Sequence, residues 1–298
     1  MSITWENADS RVRKLMQGAY DLHAHPHPSH FSRCLDDFQF ARDCDAYGMG
    51  GAMLKSHYEP TAGRAVLCNA HSGAKATMYG GVALNQPVGG LNPYQVESTL
   101  KMGGIIVWLP TRDAWHVMSR GGKATDFLVR PPVEVLDAQG KPRREIYEIF
   151  EIMKKYDAWL ATGHISPTEA GIICREGCRA GVNMILTHPD SKTTGMPLEE
   201  QIALANMGVL IEKVWDNVLN AYISAEDMAR SIKAIGAAHC FMATDNGQKG
   251  KHPVQGMYDF IAAMLEQGIT EEEIRRMVRD NPLRVIRAAG SPDEGSKN

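Results

Sequence analysis

The sequence predicts an α/β protein of the (β/α)8 TIM barrel class, and three observations carry that prediction. Eight short apolar runs alternate with longer segments whose apolar residues recur at helical spacing. Most of the runs are continuously apolar, as strands buried on both faces are. The chain has 298 residues, a length that suits one barrel forming a single domain over 1–298. A doubly wound open sheet is the competing architecture. It is disfavoured because no glycine-rich phosphate loop follows the first run.

The strands are expected at 18–22, 51–55, 78–84, 104–109, 158–162, 182–187, 208–211 and 240–244. Between them, 36–47, 143–156, 167–180, 197–207 and 225–235 carry the helical pattern. Gly18, Gly50-Gly51, Gly103-Gly104, Gly181 and Gly208 stand just before strands. Glycine is the usual stop just past a helix. One insertion, 112–142, follows strand four. It holds Ser119-Arg-Gly-Gly-Lys and an expected hairpin, 127–135 against a turn at Gln139-Gly140, and its place marks it as a lid over the catalytic face. Residues 291–298 read as a polar tail.

Composition narrows the function. The chain is 44% hydrophobic and 22% charged, with net charge −3 and no basic block. A nucleic-acid surface would show a Lys/Arg stripe. No apolar run reaches membrane-spanning length, and Met1-Ser-Ile-Thr-Trp-Glu-Asn lacks the pattern of a signal peptide. The six cysteines, Cys34, Cys44, Cys68, Cys174, Cys178 and Cys240, are scattered without a CxxC. They read as reduced thiols in a cytoplasmic protein. The expected partners are a small-molecule substrate and further copies of the chain, not nucleic acid or membrane.

Chemistry-bearing residues fall at the strand ends. Asp21-Leu-His-Ala-His places His23 and His25 two apart, so they project the same way. Strand two ends in Lys55-Ser-His57, five in Gly163-His164 and six in Thr187-His188-Pro-Asp190. Strand seven ends in Glu212-Lys213 and eight in Asp245-Asn246. A barrel gathers these ends at one face. Any one histidine reads ordinarily as a core imidazole on a backbone carbonyl. The set reads as a metal site, because metals gather such ligands. His57 orients substrate or makes a local hydrogen bond. Trp108 lines the pocket or packs. Glu212 is a substrate or bridging group, or half of a surface salt bridge.

The order of these residues resembles the amidohydrolase superfamily, whose barrels carry HxH after strand one, histidines after strands five and six, and aspartate after strand eight. The resemblance covers about residues 17–290, and Asn281-Pro-Leu-Arg is similar to the Asn-Pro turn late in such chains. It points to a narrower, uncharacterised branch sharing Leu-Lys-Ser-His and Ile-Glu-Lys. It implies metal ligands His23, His25, His164, His188 and Asp245, and zinc as cofactor, with manganese, iron or nickel as alternatives. It implies a hydrolase whose metal-activated water opens an amide, cyclic ones included, or an ester or lactone. Asp245 then shuttles the proton, and His188 binds a second metal or steadies the oxyanion. One feature departs from the pattern. Binuclear relatives place a carboxylated Lys or a Glu after strand four, whereas here that strand ends in Trp108-Leu-Pro-Thr. Lys55 and Glu212 are the substitutes, so one or two metals are compatible with the chain.

Three alternatives stand beside the hydrolase. A phosphoesterase of the polymerase-and-histidinol-phosphatase type also begins with HxH, but its late motif reads Asp-x-His where this chain has Asp245-Asn-Gly. Some superfamily members without the strand-four bridge decarboxylate instead. A metal-binding protein without turnover would need no base, and Asp245 beside the histidines argues against it.

Overall fold

The computed structural model describes residues 9–121 and 129–288. Eight strands follow one another in sheet order: β1 (Tyr20–Ala24), β2 (Gly51–Leu54), β3 (Thr77–Ala83), β4 (Gly104–Trp108), β5 (Trp159–Ala161), β6 (Asn183–Leu186), β7 (Leu210–Val214) and β8 (Cys240–Ala243). Pairing from β1 through β7 is parallel throughout. After β8 the chain runs beside β1, where Ala24 and Asn246 form a parallel bridge. This is the (β/α)8 barrel.

The chain forms two compact units. The first comprises the described parts of Met1–Lys55, Arg64–Tyr79 and Glu212–Leu283; the second those of Ser56–Gly63, Gly80–Ile211 and Arg284–Asn298. The first holds β1, β2 and β8. The second holds β4, β5 and β6, and its strands carry the apolar core Ile106, Val107, Leu160, Ile185 and Leu186. Close approach of backbones explains one glycine in each unit. A Cβ on Gly51 would sit 2.0 Å from the Thr77 carbonyl oxygen, and one on Gly81 would sit 2.1 Å from that of Ile106.

All eight expected strands are present, and two run further than their apolar runs. β1 continues through His23 to Ala24, and β7 continues through Glu212 and Lys213 to Val214. Charged residues look like a strand end in sequence. Here both are buried with partners: Glu212 on His23 and Lys213 on Ser231, the latter at 2.6 Å. The expected helices form at Asp37–Ala46, Arg144–Lys155, Pro167–Arg179, Leu198–Asn206 and Ala225–Ile235. Three of the five starts are capped by a side chain, at Asp36, Ser166 and Ser224. Asp36 accepts from Gln39 N–H, and Ser166 and Glu169 cap each other reciprocally. Ser10–Met16, Ala62–His71, Pro93–Lys101 and Pro253–Glu266 are further helices that the pattern did not single out.

Part of the insertion after β4 lies outside the described residues, at 122–128. The hairpin expected over 127–135 does not form a ladder in its described part. Pro131-Pro132 cannot donate to one. Instead Val133 bridges Ala114, and a small turn closes from Leu136 to Pro142, where Asp137 N–H meets the Lys141 carbonyl at 2.8 Å. Arg130 pins the segment to Asp113 through a buried ion pair. The cysteines are free thiols. Among the described residues, no helix is long and apolar enough to cross a membrane.

Asn281 gives the late Asn-Pro motif a physical role. Its side-chain amide donates to the carbonyls of Ala237 and Cys240, at 2.8 and 2.6 Å, and so ties the last helix to the start of β8. Asn281→Ala removes two buried hydrogen bonds, at about 1–3 kcal/mol together. The urea midpoint is expected to fall accordingly, and an unchanged midpoint would show that the tie contributes nothing.

Candidate metal site and histidine group

The first unit brings together His23, His25, Lys55, Glu212 and Asp245. Asp21, two residues before His23 and on the same side of β1, starts the arrangement. It is fully buried, and its carboxylate accepts from the His23 N–H at 3.2 Å, the Thr244 N–H at 3.0 Å and the Thr244 hydroxyl at 2.5 Å. Burial pushes its pKa up to about 6 despite these donors. The Asp245 N–H donates to the His23 carbonyl at 2.7 Å, and the His25 N–H to that of Asn246 at 2.8 Å. β1 and the β8 loop are thereby locked side by side.

Both histidines of this group have their Nδ1 committed. The His23 Nδ1–H meets Glu212 Oε1 at 2.9 Å, and the His25 Nδ1–H donates to the Lys55 carbonyl at 3.1 Å. Carboxylates and backbone carbonyls only accept, so both protons sit on Nδ1. The two Nε2 atoms turn to Asp245 Oδ1, each at 3.1 Å. Burial holds His25 down to about 3, so its ring is neutral and its Nε2 lone pair faces a carboxylate oxygen. Two acceptors face each other there, which is the arrangement a cation resolves. His23, His25 and Asp245 offer ligand atoms within 4.8 Å of one another, and it is the group of three found among the described residues. An imidazole whose other nitrogen is held by a carboxylate or a carbonyl is how proteins orient metal-binding histidines. The donor set fits a divalent cation of the zinc type.

Lys55 and Glu212 are inside this group, not on the surface. Lys55 is 2% exposed, and its Nζ lies 2.7 Å from His23 Nε2. Burial lowers its pKa to about 8, against the pull of Asp245 and Glu212. For His23, burial opposes the charge, but Asp245 and Glu212 outweigh it and raise the pKa to about 9. Burial likewise works against the Asp245 charge, and the two histidines overcome it and hold the carboxyl well below its usual range. Among the described residues Asp245 Oδ2 accepts no hydrogen bond, and Asp245 is the partly exposed member of the three. Asp245 also has φ 54°, a left-handed conformation that a non-glycine residue holds only under constraint. Gly247 beside it is obligatory, since a Cβ there would lie 2.2 Å from the His25 carbonyl oxygen.

The second unit holds His57, His164 and His188. The His164 ring lies 4.9 Å from that of His188 and 5.8 Å from that of His57, centroid to centroid. His188, like Asp245, is left-handed, at φ 26°. Its Nδ1 is 3.0 Å from the Thr194 hydroxyl, which spends its own proton on the His188 carbonyl. Nδ1 is therefore the donor, and the Nε2 of His188 carries the lone pair. Trp108, expected to line a pocket, is 2% exposed with its ring over Gly81. Sequence reasoning missed Asp21, Thr194, Asn85 and Thr111. Only Asp21 left a signal, in its two-residue spacing from His23.

Solved structures share this fold. An amidohydrolase from Pseudomonas aeruginosa matches with TM-score 0.63 and 13% identity, over 93% of this chain and 98% of that one. A putative 2-pyrone-4,6-dicarboxylic acid hydrolase from Pseudomonas putida matches with TM-score 0.61 and 14% identity, over 92% and 99%. A 2,6-dihydroxybenzoate decarboxylase from Rhizobium matches with TM-score 0.56 and 13% identity, over 92% and 100%. The barrel is thus shared with hydrolases and a decarboxylase, in line with the amidohydrolase resemblance of the sequence. No curated protein matches the chain in sequence. A family model does match, over residues 18–212, and the chain belongs to that family, described as "Family of unknown function (DUF6282)".

Proposed function

We propose that the chain is a metal-dependent hydrolase that opens an amide, ester or lactone bond in a small molecule, with its metal held by His23, His25 and Asp245. The observation that carries this reading is the acceptor pair His25 Nε2 and Asp245 Oδ1, aimed at each other with both histidine Nδ1 protons already committed. When bound, a divalent cation supplies Lewis-acid activation of water and of the scissile carbonyl. Glu212 and the Lys55 carbonyl keep the imidazoles oriented. Asp245 Oδ2 takes the proton of the attacking water and returns it to the leaving group. The Lys55 amine, lowered towards neutrality by burial, serves as a hydrogen-bonding group or a bridge beside His23. His164 and His188 stay in the reading as ligand candidates of their own unit. Zinc leads as the metal.

A second reading within the same fold is a decarboxylase. The Rhizobium neighbour and the absence of a Lys or Glu at the end of β4 favour it. Carbon dioxide release from aromatic carboxylic acids, without hydrolysis of a panel of lactones, esters and cyclic amides, would select it.

Elemental analysis is expected to find about one or two metals per chain, as in mono- and two-metal sites. The double variant His23→Ala, His25→Ala is expected to fold and lose metal, and full metal retention would remove the site from the first unit. On the panel compound that is turned over, Asp245→Asn should lower kcat by ~10²-fold or more. Lys55→Met should lower it at least about tenfold, roughly 1.4 kcal/mol of barrier. Near-normal kcat in either variant rejects the role given to that residue.

Metal affinity should also depend on pH. His23 holds its proton up to about 9, above the ordinary value of about 6.5. Below that pH a cation must displace the proton, so apparent affinity rises with pH, by about tenfold per unit for one proton released. Chelator competition between pH 6 and 8 measures the slope. A flat profile would show that His23 gives up no proton to the metal.

A further inference from the structure

Asp245 sits inside a closed circuit of hydrogen bonds in the first unit, and one lysine completes that circuit. It starts at Thr244, whose carbonyl accepts the Asp216 N–H at 3.0 Å. Asp216 lies just past β7, so this bond ties the end of β7 to the residue before Asp245. On the far side of Asp245 the chain turns back at once. The Gln248 side-chain amide donates to the Asp245 carbonyl at 3.0 Å. The Lys251 N–H donates to the Gln248 carbonyl, and the Gly247 N–H to the Lys251 carbonyl, both at 2.9 Å. The Lys251 Nζ then donates to Asp216 Oδ1 at 2.6 Å, which returns the circuit to its start.

Asn220 locks the closing contact. Its side chain lies 2.6 Å from Asp216 Oδ2 and 2.9 Å from Lys251 Nζ. A carboxylate only accepts and an ammonium only donates, so the amide nitrogen faces Asp216 and the amide oxygen faces Lys251. Carboxylate, amide and ammonium thus hold one another pairwise. The Lys251 and Asp216 side chains are 28% and 16% exposed, so salt screens this pair less than one on the open surface. Charge gives the lysine a second use. Burial, and then the Asp245 carboxylate, push the Asp216 pKa up, and Lys251 pulls it down. The two carboxylates repel, and the ammonium offsets that repulsion. Asp245 itself is left-handed at φ 54°, a conformation that persists only where its surroundings impose it.

We propose that Lys251, through its ion pair with Asp216, is a positioning residue that closes the turn 245–251 and holds the Asp245 carboxylate against His23 and His25. Its effect on a metal rests on the metal-site reading above; its hold on the backbone does not. Lys251 acts through Asp245 and changes no bond.

Amide hydrogen exchange on the full-length chain tests the clamp without metal or substrate. In Lys251→Met the Asp245 and Gly247 amides are expected to exchange at least about tenfold faster, while those of the helix Ala225–Ile235 keep their wild-type rates. Lys251→Arg keeps the charge and should recover most of the protection. Asp216→Asn should reproduce the local acceleration from the other side of the pair, and adding it to Lys251→Met should bring no further loss. Unchanged exchange at Asp245, equal acceleration throughout the chain, no recovery in Lys251→Arg, or additive costs in the double variant each overturn the proposal. Should Lys251→Met not fold, the Asp216→Asn profile decides by the same local and distant amides. Cadmium, measured by chelator competition at one pH, gives a second readout. Lys251→Met should bind it about tenfold more weakly, the lower end of what losing a group that orients a ligand costs. Removing a nearby positive charge would by charge alone tighten a cation, so weaker binding reports the position of Asp245. Equal or tighter binding in Lys251→Met overturns the positioning role. If the wild-type chain binds no cadmium, the metal-site reading fails, and the exchange profiles still decide the clamp.

Discussion

The first unit's site depends on one buried carboxylate, that of Asp21. It takes three donors, from His23 and from the backbone and hydroxyl of Thr244. Every one of them borders a residue of the candidate metal group. A carboxylate without water is costly unless it is hydrogen-bonded, so the chain has little freedom to place β1 and the β8 loop otherwise. The Thr244 hydroxyl, in turn, accepts the N–H of Asn246 at 3.2 Å. Asp245 is thus held on both sides, which is what a left-handed aspartate needs. The strain at Asp245 and the tie at Asp21 belong to one arrangement: rigid backbone on either side of a residue whose side chain must face two imidazoles.

The two units handle their histidines by the same rule with different partners. In His23, His25, His57 and His188 the Nδ1 is committed, and its partner bears on what Nε2 becomes. Glu212 and the Lys55 carbonyl are pure acceptors, so His23 and His25 donate through Nδ1; the neutral His25 presents an Nε2 lone pair, and His23 does so once its second proton is lost. Hydroxyls can act either way, so the threonines take their sense from a third group, Asn85 in one case and the His188 carbonyl in the other.

Much of the barrel was legible in sequence because its signals are local. Apolar runs of strand length, helical periodicity and the glycines between them depend on short-range patterning. His23, His25 and Asp245 were legible as strand-end residues for the same reason. The extension of β7 through Glu212 and Lys213 was not, since a buried charge declares itself only through its partner, and those partners are His23 and Ser231, far away in sequence. The hydrogen bonds joining Asn85, Thr111 and His57 were equally hidden. Asn85 and Thr111 are ordinary loop residues by type, and their contacts span 26 to 54 positions with no motif to mark them. The Pro131-Pro132 pair lies inside the expected hairpin, and two residues without an N–H cannot donate to a ladder there.

The contact between His25 and Asp245 spans 220 positions, and that between His23 and Glu212 spans 189. The site is therefore among the most non-local features of the chain, and non-local contacts are the slow part of folding. During synthesis at roughly 5–20 residues per second, about 10–45 s pass between the emergence of the two histidines and that of Asp245. For most of that interval β1 lacks Glu212, the carboxylate on His23, and to its end it lacks the loop that holds His25. The group of His23, His25 and Asp245 is therefore completed only when the strand that closes the barrel arrives.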